Sequence, residues 1–311
     1  MRLMAFTPLG RRTILSGLFI NGVILDLNKI YTEILMLDGY DELEAKIKAG
    51  KELPRNPEKL VRRGLKALEK IKYLVERLNE VTDISNAIYK PYEIVLKPPI
   101  QNPSKIIGIG LNYRSHVKEA DEKLPKEPVV FSKASSSIIG PYDPIILPKI
   151  SSKVDYEGEL AIVIGAKCKD VDENEAFKYI LGYMAANDVT ARDIEFRSPI
   201  QFFLSKSIDT FLPIGPGITF RDHIHDPNNL KLITKLNGEI VQNACTGEML
   251  FKVNVIVSKL SSYLTLLPGD IILTGTPSGV GFARNPPRYL RKGDVVEVSI
   301  ENVGVIRNRI I

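Results

Sequence analysis

Val154-Asp155-Tyr156-Glu157-Gly158-Glu159, running into Leu160-Ala161-Ile162-Val163-Ile164-Gly165, is the stretch on which the reading of the whole chain turns. Its apolar tail is rich in β-branched residues and stops at a glycine, which reads as a strand. Side chains alternate between the faces of a strand, so Asp155, Glu157 and Glu159 share one side. Neighbours in that row sit roughly 6.5–7 Å apart at the backbone, within reach of one ion for long carboxylates. No basic residue interrupts the row, and its self-repulsion is relieved by a divalent cation such as Mg²⁺, which takes oxygen ligands. An alternating acidic row is also what a solvated antiparallel strand carries. The stretch by itself leaves both readings open.

Around it lie 311 residues, 44% of them apolar, enough for a core. The net charge of +5 is mild, and no Lys/Arg block interleaved with aromatics suggests a nucleic-acid groove. No apolar run reaches membrane-spanning length. The first residues show no signal-peptide pattern, because Arg11-Arg12 interrupts them early. Cys168 and Cys245 are distant in sequence and form no C-x-x-C pair, so neither zinc nor a disulfide framework is indicated. The expectation is a cytoplasmic protein that binds neither nucleic acid nor membrane.

Lys97-Pro98-Pro99-Ile100 and Asn102-Pro103 mark a linker, dividing a small N-terminal domain (1–100) from a larger one (101–311). In the first, Asn21-Gly22 between apolar runs signals a hairpin. Asp41 can cap a helix over 42–49 that ends at Gly50. Asn56 and Pro57 start a second helix, with apolar residues at helical spacing to about residue 79. After the linker come many short β-like runs separated by Gly and Pro. Only 173–180 and 253–264 read as helical there. Strands in such succession pack as sheets and not as βαβ units. The predicted class is α+β, mainly β, with a smaller N-terminal α/β domain.

Further residues could carry chemistry. Asp188 ends the apolar run 182–186 and offers a fourth carboxylate, although an acid there also suits a turn. His116 and Glu119 are three apart, on one side if the segment is helical, and a carboxylate beside a histidine makes a general base. A surface His–Glu pair has the same spacing. His223 and His225 would share a strand face as a metal pair, but their neighbours read as an exposed loop. Lys133 and Lys206 stand alone among apolar and small residues, where a lysine can hold a carboxylate or stabilise an enolate. More commonly a lysine covers apolar surface with its stem. The loop 275–281 (Gly-Thr-Pro-Ser-Gly-Val-Gly) lacks the P-loop Lys-Ser/Thr, yet its N–H groups can bind a carboxylate, or it can simply connect strands.

Taken together and in this order, G-L-N-Y-R-S-H-V-K-E at 110–119, F-S-K-A at 131–134, D-Y-E-G-E at 155–159, N-D-V-T-A-R-D at 187–193, S-K-S-I-D-T at 205–210, N-G-E at 237–239 and L-T-G-T-P-S-G-V-G at 273–281 resemble the fumarylacetoacetate hydrolase family over about 100–311. The resemblance implies a catalytic domain built as a mixed β-sandwich roll, usually dimeric. Glu157, Glu159 and Asp188 match the family's Mg²⁺ ligands, with Mn²⁺ as an alternative ion. Asp155 matches an acid that need not touch the metal. His116 and Glu119 match a water-activating dyad on a lid, and Lys206 matches the lysine beside the metal. Thr276, with Lys133 and Glu195, falls on the substrate side. The family usually has glutamine where this chain has Glu195. An ionised glutamate cannot donate a hydrogen bond to an anion, so this position bears on the particular activity.

The activity implied is on 2-oxo or enol carboxylic acids, first as acylpyruvate hydrolase-type C–C hydrolysis. A 2-hydroxyhepta-2,4-diene-1,7-dioate isomerase or an oxaloacetate decarboxylase is the runner-up, and a sugar-acid dehydratase a third option. From another class, His223, His225 and a carboxylate would form the facial triad of a non-haem iron oxygenase.

Overall fold

The computed structural model describes residues 1–82 and 84–311. The 158–164 run is a strand, but it starts at Gly158 and is buried on both faces. Leu160, Ile162 and Ile164 face one core, and Ala161 and Val163 face another. Among the described residues, it is one of twelve strands in a single mixed sheet. Its antiparallel partner Ile180–Asn187 sets Gly158 opposite Asn187 and Glu159 opposite Ala186. On its other edge Ile271–Leu273 pairs antiparallel with it and parallel with Ile106–Gly110. Ile180–Asn187 continues through Leu212–Phe220 to Arg2–Pro8, so strands from residues 1–100 extend the same sheet.

One face of this sheet is covered by helices. Leu27–Leu37 and Leu65–Glu76 bury Ile30, Ile34, Leu68 and Ile71 against Val163, Leu181 and Met184. The other face packs on a four-stranded antiparallel sheet (Lys231–Leu236, Glu239–Cys245, Val295–Ile300, Gly304–Arg309) and on the helix Val253–Tyr263. The fold is mainly β with few helices, as the succession of strands predicts. Among the described residues no helix is long and apolar enough to cross a membrane.

Local expectations fare unevenly. The hairpin forms with Ile20 opposite Val23, and Asn21 (φ 49°) and Gly22 (φ 82°) adopt the left-handed conformations its turn needs. Asp41 caps a helix with a full capping box, but the helix runs through Gly50 to Glu52, since Pro54 and not glycine ends it. The single helix over 57–79 is two, Pro57–Val61 and Leu65–Glu76. Gly64 divides them at φ +57°, where a Cβ would lie 1.8 Å from the Gly165 carbonyl oxygen. That approach docks the helix on the sheet, with Leu65 N–H donating to Gly165 O at 2.8 Å. Residues 173–180 yield only a 3₁₀ turn, Ala176–Tyr179, because Ile180 already belongs to the sheet.

Candidate active site

The register that builds the sheet also builds the site. Continuing it by one step past Gly158–Asn187 sets Asp188 across from Glu157, and Asp188 N–H donates to Glu157 O at 2.8 Å. Side chains of directly opposed residues share a face, and so do those two apart along a strand. Glu157, Glu159 and Asp188 therefore converge, with one carboxylate oxygen from each within 4.8 Å of the others. Opposite oxygens around a six-coordinate Mg²⁺ are roughly 4.2 Å apart, so the spacing suits one ion.

Asp155 does not join them. The strand breaks at Tyr156-Glu157, and Val154–Asp155 pairs separately with Thr190–Ala191. Asp155 accepts from the N–H groups of Tyr156, Gly281 and Phe282 (2.9, 2.7 and 3.0 Å) and from Arg192 Nε at 3.0 Å. One uninterrupted strand with three acids on one side is thus corrected: two of them face the cluster, and the third is drawn to the glycine-rich loop.

The acids are also not free of cations, which arrive from distant elements. Lys206, at the end of the short helix Phe202–Lys206, donates to Glu157 Oε2, Asp188 Oδ2 and Thr190 Oγ1 at 2.8–2.9 Å. Arg192 donates to Asp155, to Glu195 Oε2 at 2.7 Å and to Glu157 Oε1 at 2.6 Å. Lys133 donates to Asp188 Oδ1 at 2.6 Å. Its side chain is fully enclosed behind Asp188, away from the cavity where a substrate would meet it. Arg192 enters the sequence analysis only as part of the motif at 187–193. Its hold on three acids has no local signal, since Asp155 and Glu157 lie more than thirty positions away.

These groups respond differently to burial. Desolvation opposes ionisation of Glu157, but the Lys206 and Arg192 charges, with His116, hold its pKa at about 2. Desolvation pushes Glu159 well up, and the like charges of Asp188 and Glu157 push the same way. Its donor is the N–H of Gly275 at 2.7 Å. Desolvation would lower the Lys206 pKa, but Asp188 and Glu157 raise it. Counting Asp155 and Glu195, five buried carboxylates face the three buried cations, an excess of two negative charges when all are ionised. A divalent ion matches that excess, and each carboxylate oxygen keeps a lone pair for it. The donor set fits a hard cation.

Above the cluster lies a cavity of about 190 Å³. Glu157, Glu159, Arg192, Lys206, Glu195, Thr276 and His116 reach it, within a wall that includes Phe131, Phe196, Phe202 and Phe282. Thr276 Oγ1 accepts from Gln242 Nε2 at 2.8 Å and donates to Gly158 O at 3.1 Å. Gln242, from the smaller sheet, also takes the Gly158 N–H at 3.0 Å. Nothing in its local sequence sets it apart.

Residues 114–119 are helical, and His116 and Glu119 share a side, with Nδ1 to Oε2 at 3.5 Å. No hydrogen bond joins them, and His116 Nδ1 is buried without a partner. Glu119 is held by Gly279 N–H at 2.8 Å. The loop at 275–282 thus serves protein carboxylates through Gly275, Gly279, Gly281 and Phe282. His223 and His225 are exposed, and among the described residues Glu157, Glu159 and Asp188 are the grouping of three or more ligating side chains. A facial triad with the histidines does not form.

Residues 105–311 match the model for the fumarylacetoacetate (FAA) hydrolase C-terminal domain. The rat protein named oxaloacetate tautomerase Fahd2a, mitochondrial, is 47% identical over 219 residues, 70% of each chain. A solved 2-hydroxyhepta-2,4-diene-1,7-dioate isomerase from Mycobacterium marinum covers all of this chain and 98% of its own, at 31% identity and TM-score 0.71. A maleylpyruvate hydrolase from Sphingobium sp. SYK-6, in complex with manganese(II) and pyruvate, covers all of this chain and 99% of its own, at 29% identity and TM-score 0.75.

Proposed function

The chain belongs to the fumarylacetoacetate hydrolase family of enzymes, and on that premise we propose that it acts on 2-oxo or enol carboxylic acids with a divalent metal, Mg²⁺ or Mn²⁺, by acylpyruvate hydrolase-type C–C hydrolysis. The observation that carries this reading is the meeting of Glu157, Glu159 and Asp188, with Glu157 and Glu159 lining a cavity that His116 also lines. The Sphingobium neighbour, solved with manganese(II) and pyruvate, supports the metal and the substrate class.

Glu157, Glu159 and Asp188 would hold the ion, whose chemistry is Lewis-acid polarisation of the oxo acid and stabilisation of enolate charge. Lys206 donates to both Glu157 and Asp188 and so orients them. His116 takes a proton from water, and Glu119, anchored by Gly279, steadies the imidazolium that results. Hydroxide adds to the acyl carbonyl carbon and the C–C bond breaks. The electron pair remains on the pyruvate fragment as its enolate. That enolate is protonated, giving pyruvate and a carboxylate. The aromatic wall keeps other water out.

A second reading is favoured by the rat relative's name: His116 would shuttle a proton between keto and enol forms of oxaloacetate, without attack by water. Turnover of acylpyruvates, oxaloacetate and hydroxy-dienedioates, measured with Mg²⁺ and after chelation, separates the readings. Activity on none, or activity indifferent to chelation, overturns both. We further propose that the protein is a cytoplasmic homodimer. The free thiols Cys168 and Cys245 suit a reducing compartment, and exposed Phe196, Ile200, Phe203 and Leu204 offer apolar surface for pairing.

A further inference from the structure

We propose that Glu195 selects the substrate: the cavity takes a 2-oxo monocarboxylate whose far end is uncharged and donates a hydrogen bond, and it rejects a second carboxylate. This deepens the acylpyruvate reading, rests on it, and sets aside oxaloacetate and the dienedioates, which carry a second carboxylate.

Glu195 is 4% exposed and lines the cavity. Among the described residues its hydrogen-bond partner is Arg192 Nη1, which serves Oε2 and leaves Oε1 without a protein donor. An ionised carboxylate only accepts, and Oε1 is not among the fully enclosed unpaired atoms, so a ligand that shields it from solvent without donating leaves a costly unpaired acceptor. The ligand group that meets Glu195 must therefore bring an O–H or N–H. The enol form of a 2,4-dioxo acid has such a hydroxyl beyond the end that chelates a metal. A carboxylate there would bring a like charge and no proton.

Among the described residues, no lysine or arginine lining the cavity is free to offset that charge. The cations lining the cavity are Lys206 and Arg192. All three Lys206 hydrogens go to Glu157, Asp188 and Thr190. Every Arg192 nitrogen is bound to an acid. With a divalent ion in place the buried charges already balance, so the chelating carboxylate leaves one negative charge in excess, and a second carboxylate, away from the ion, would double that excess in a partly desolvated space. Glu122 adds another acid to the lining, and Leu111, Val129, Phe131, Ile200 and Phe202 suit an uncharged tail. With glutamine at 195 the position could donate, and Arg192 would be released towards the ligand.

Two stable oxamates of similar length test this on the Mg²⁺-loaded protein by calorimetry: N-oxalylglycine, with a far carboxylate, and N-(2-hydroxyethyl)oxamate, with a hydroxyl. The wild type should prefer the hydroxyl ligand at least tenfold, and Glu195→Gln should cut that ratio at least tenfold. Equal or tighter binding of N-oxalylglycine by the wild type overturns the proposal, as does an unchanged ratio in a folded variant. If the variant does not fold, the wild-type ratio decides. Oxalate, which reaches only the floor, is the control: failure of the wild type to bind it overturns the underlying metal and oxo-acid reading, whatever the ratio.

Discussion

Asp188 lies across the sheet from Glu157, joined to it by a backbone hydrogen bond of 2.8 Å, and Lys206 Nζ bridges the two side chains at 2.8–2.9 Å. One strand pairing thus places two carboxylates together, and a cation from another part of the chain makes the placement tolerable in the interior.

Removing that cation should expose the cost. Lys206→Met leaves Glu157 and Asp188 short of a buried counter-charge, and the metal-free protein should lose roughly 3–5 kcal/mol. A divalent ion replaces part of the missing charge. Added Mn²⁺ should therefore raise the melting temperature of the variant more than that of the wild type. Equal shifts in a thermal melt would count against a metal position beside Lys206.

Glu159 gives the pH dependence. Its pKa in the folded chain is raised, so folding favours its protonated form. Below the ordinary glutamate range it is protonated folded or unfolded and contributes nothing. As pH rises towards its folded value, the metal-free fold loses stability on its account. Metal binding must displace that proton, so affinity should rise with pH, by up to about tenfold per unit below the folded pKa. Calorimetry in buffers of different ionisation enthalpy should detect the released proton. Glu159→Gln should abolish tight metal binding yet leave the metal-free protein at least as stable at pH 8.

His116→Ala should retain metal binding and lose about 10²–10⁴-fold in hydrolysis. Glu119→Gln, which weakens the support for imidazolium, should lose less. Unchanged acylpyruvate cleavage in His116→Ala would remove the dyad from the mechanism.

His223→Ala should keep full activity, because that residue is exposed and outside the acidic cluster. Chelated protein should recover with Mg²⁺ or Mn²⁺ under anaerobic conditions. A requirement for Fe²⁺ and O₂ would contradict the site as described.

Gly64→Ala should destabilise the fold by roughly 2–4 kcal/mol in denaturant melts, since a Cβ would meet the Gly165 carbonyl at a φ of +57°. Its neighbour Leu65 occupies a normal helical position. Leu65→Ala should therefore lose only packing.

What was legible in the sequence was what short-range chemistry imposes. The Asn21-Gly22 turn, the Asp41 cap, the strand at 160–164 and the side-by-side placement of His116 and Glu119 follow from backbone preference and residue spacing. The family motifs carried the grouping of Glu157, Glu159 and Asp188 further than spacing could. Where local pattern failed, a distant partner had intervened: the helix expected over 57–79 divides at Gly64, which packs against Gly165, and the N–H groups of Gly281 and Phe282 turn Asp155 away from Glu157 and Glu159.

The sequence by itself thus determined the Asn21-Gly22 turn, the buried strand over 160–164 and the shared side of Glu157 and Glu159. Only the tertiary structure decided that Arg192, Lys133 and Lys206 converge on those acids and that Gln242 and the 275–282 loop brace them. The physical reason is range. Backbone propensity and alternation act over a few residues, whereas the balance of buried charge depends on groups that meet only when the sheets have packed.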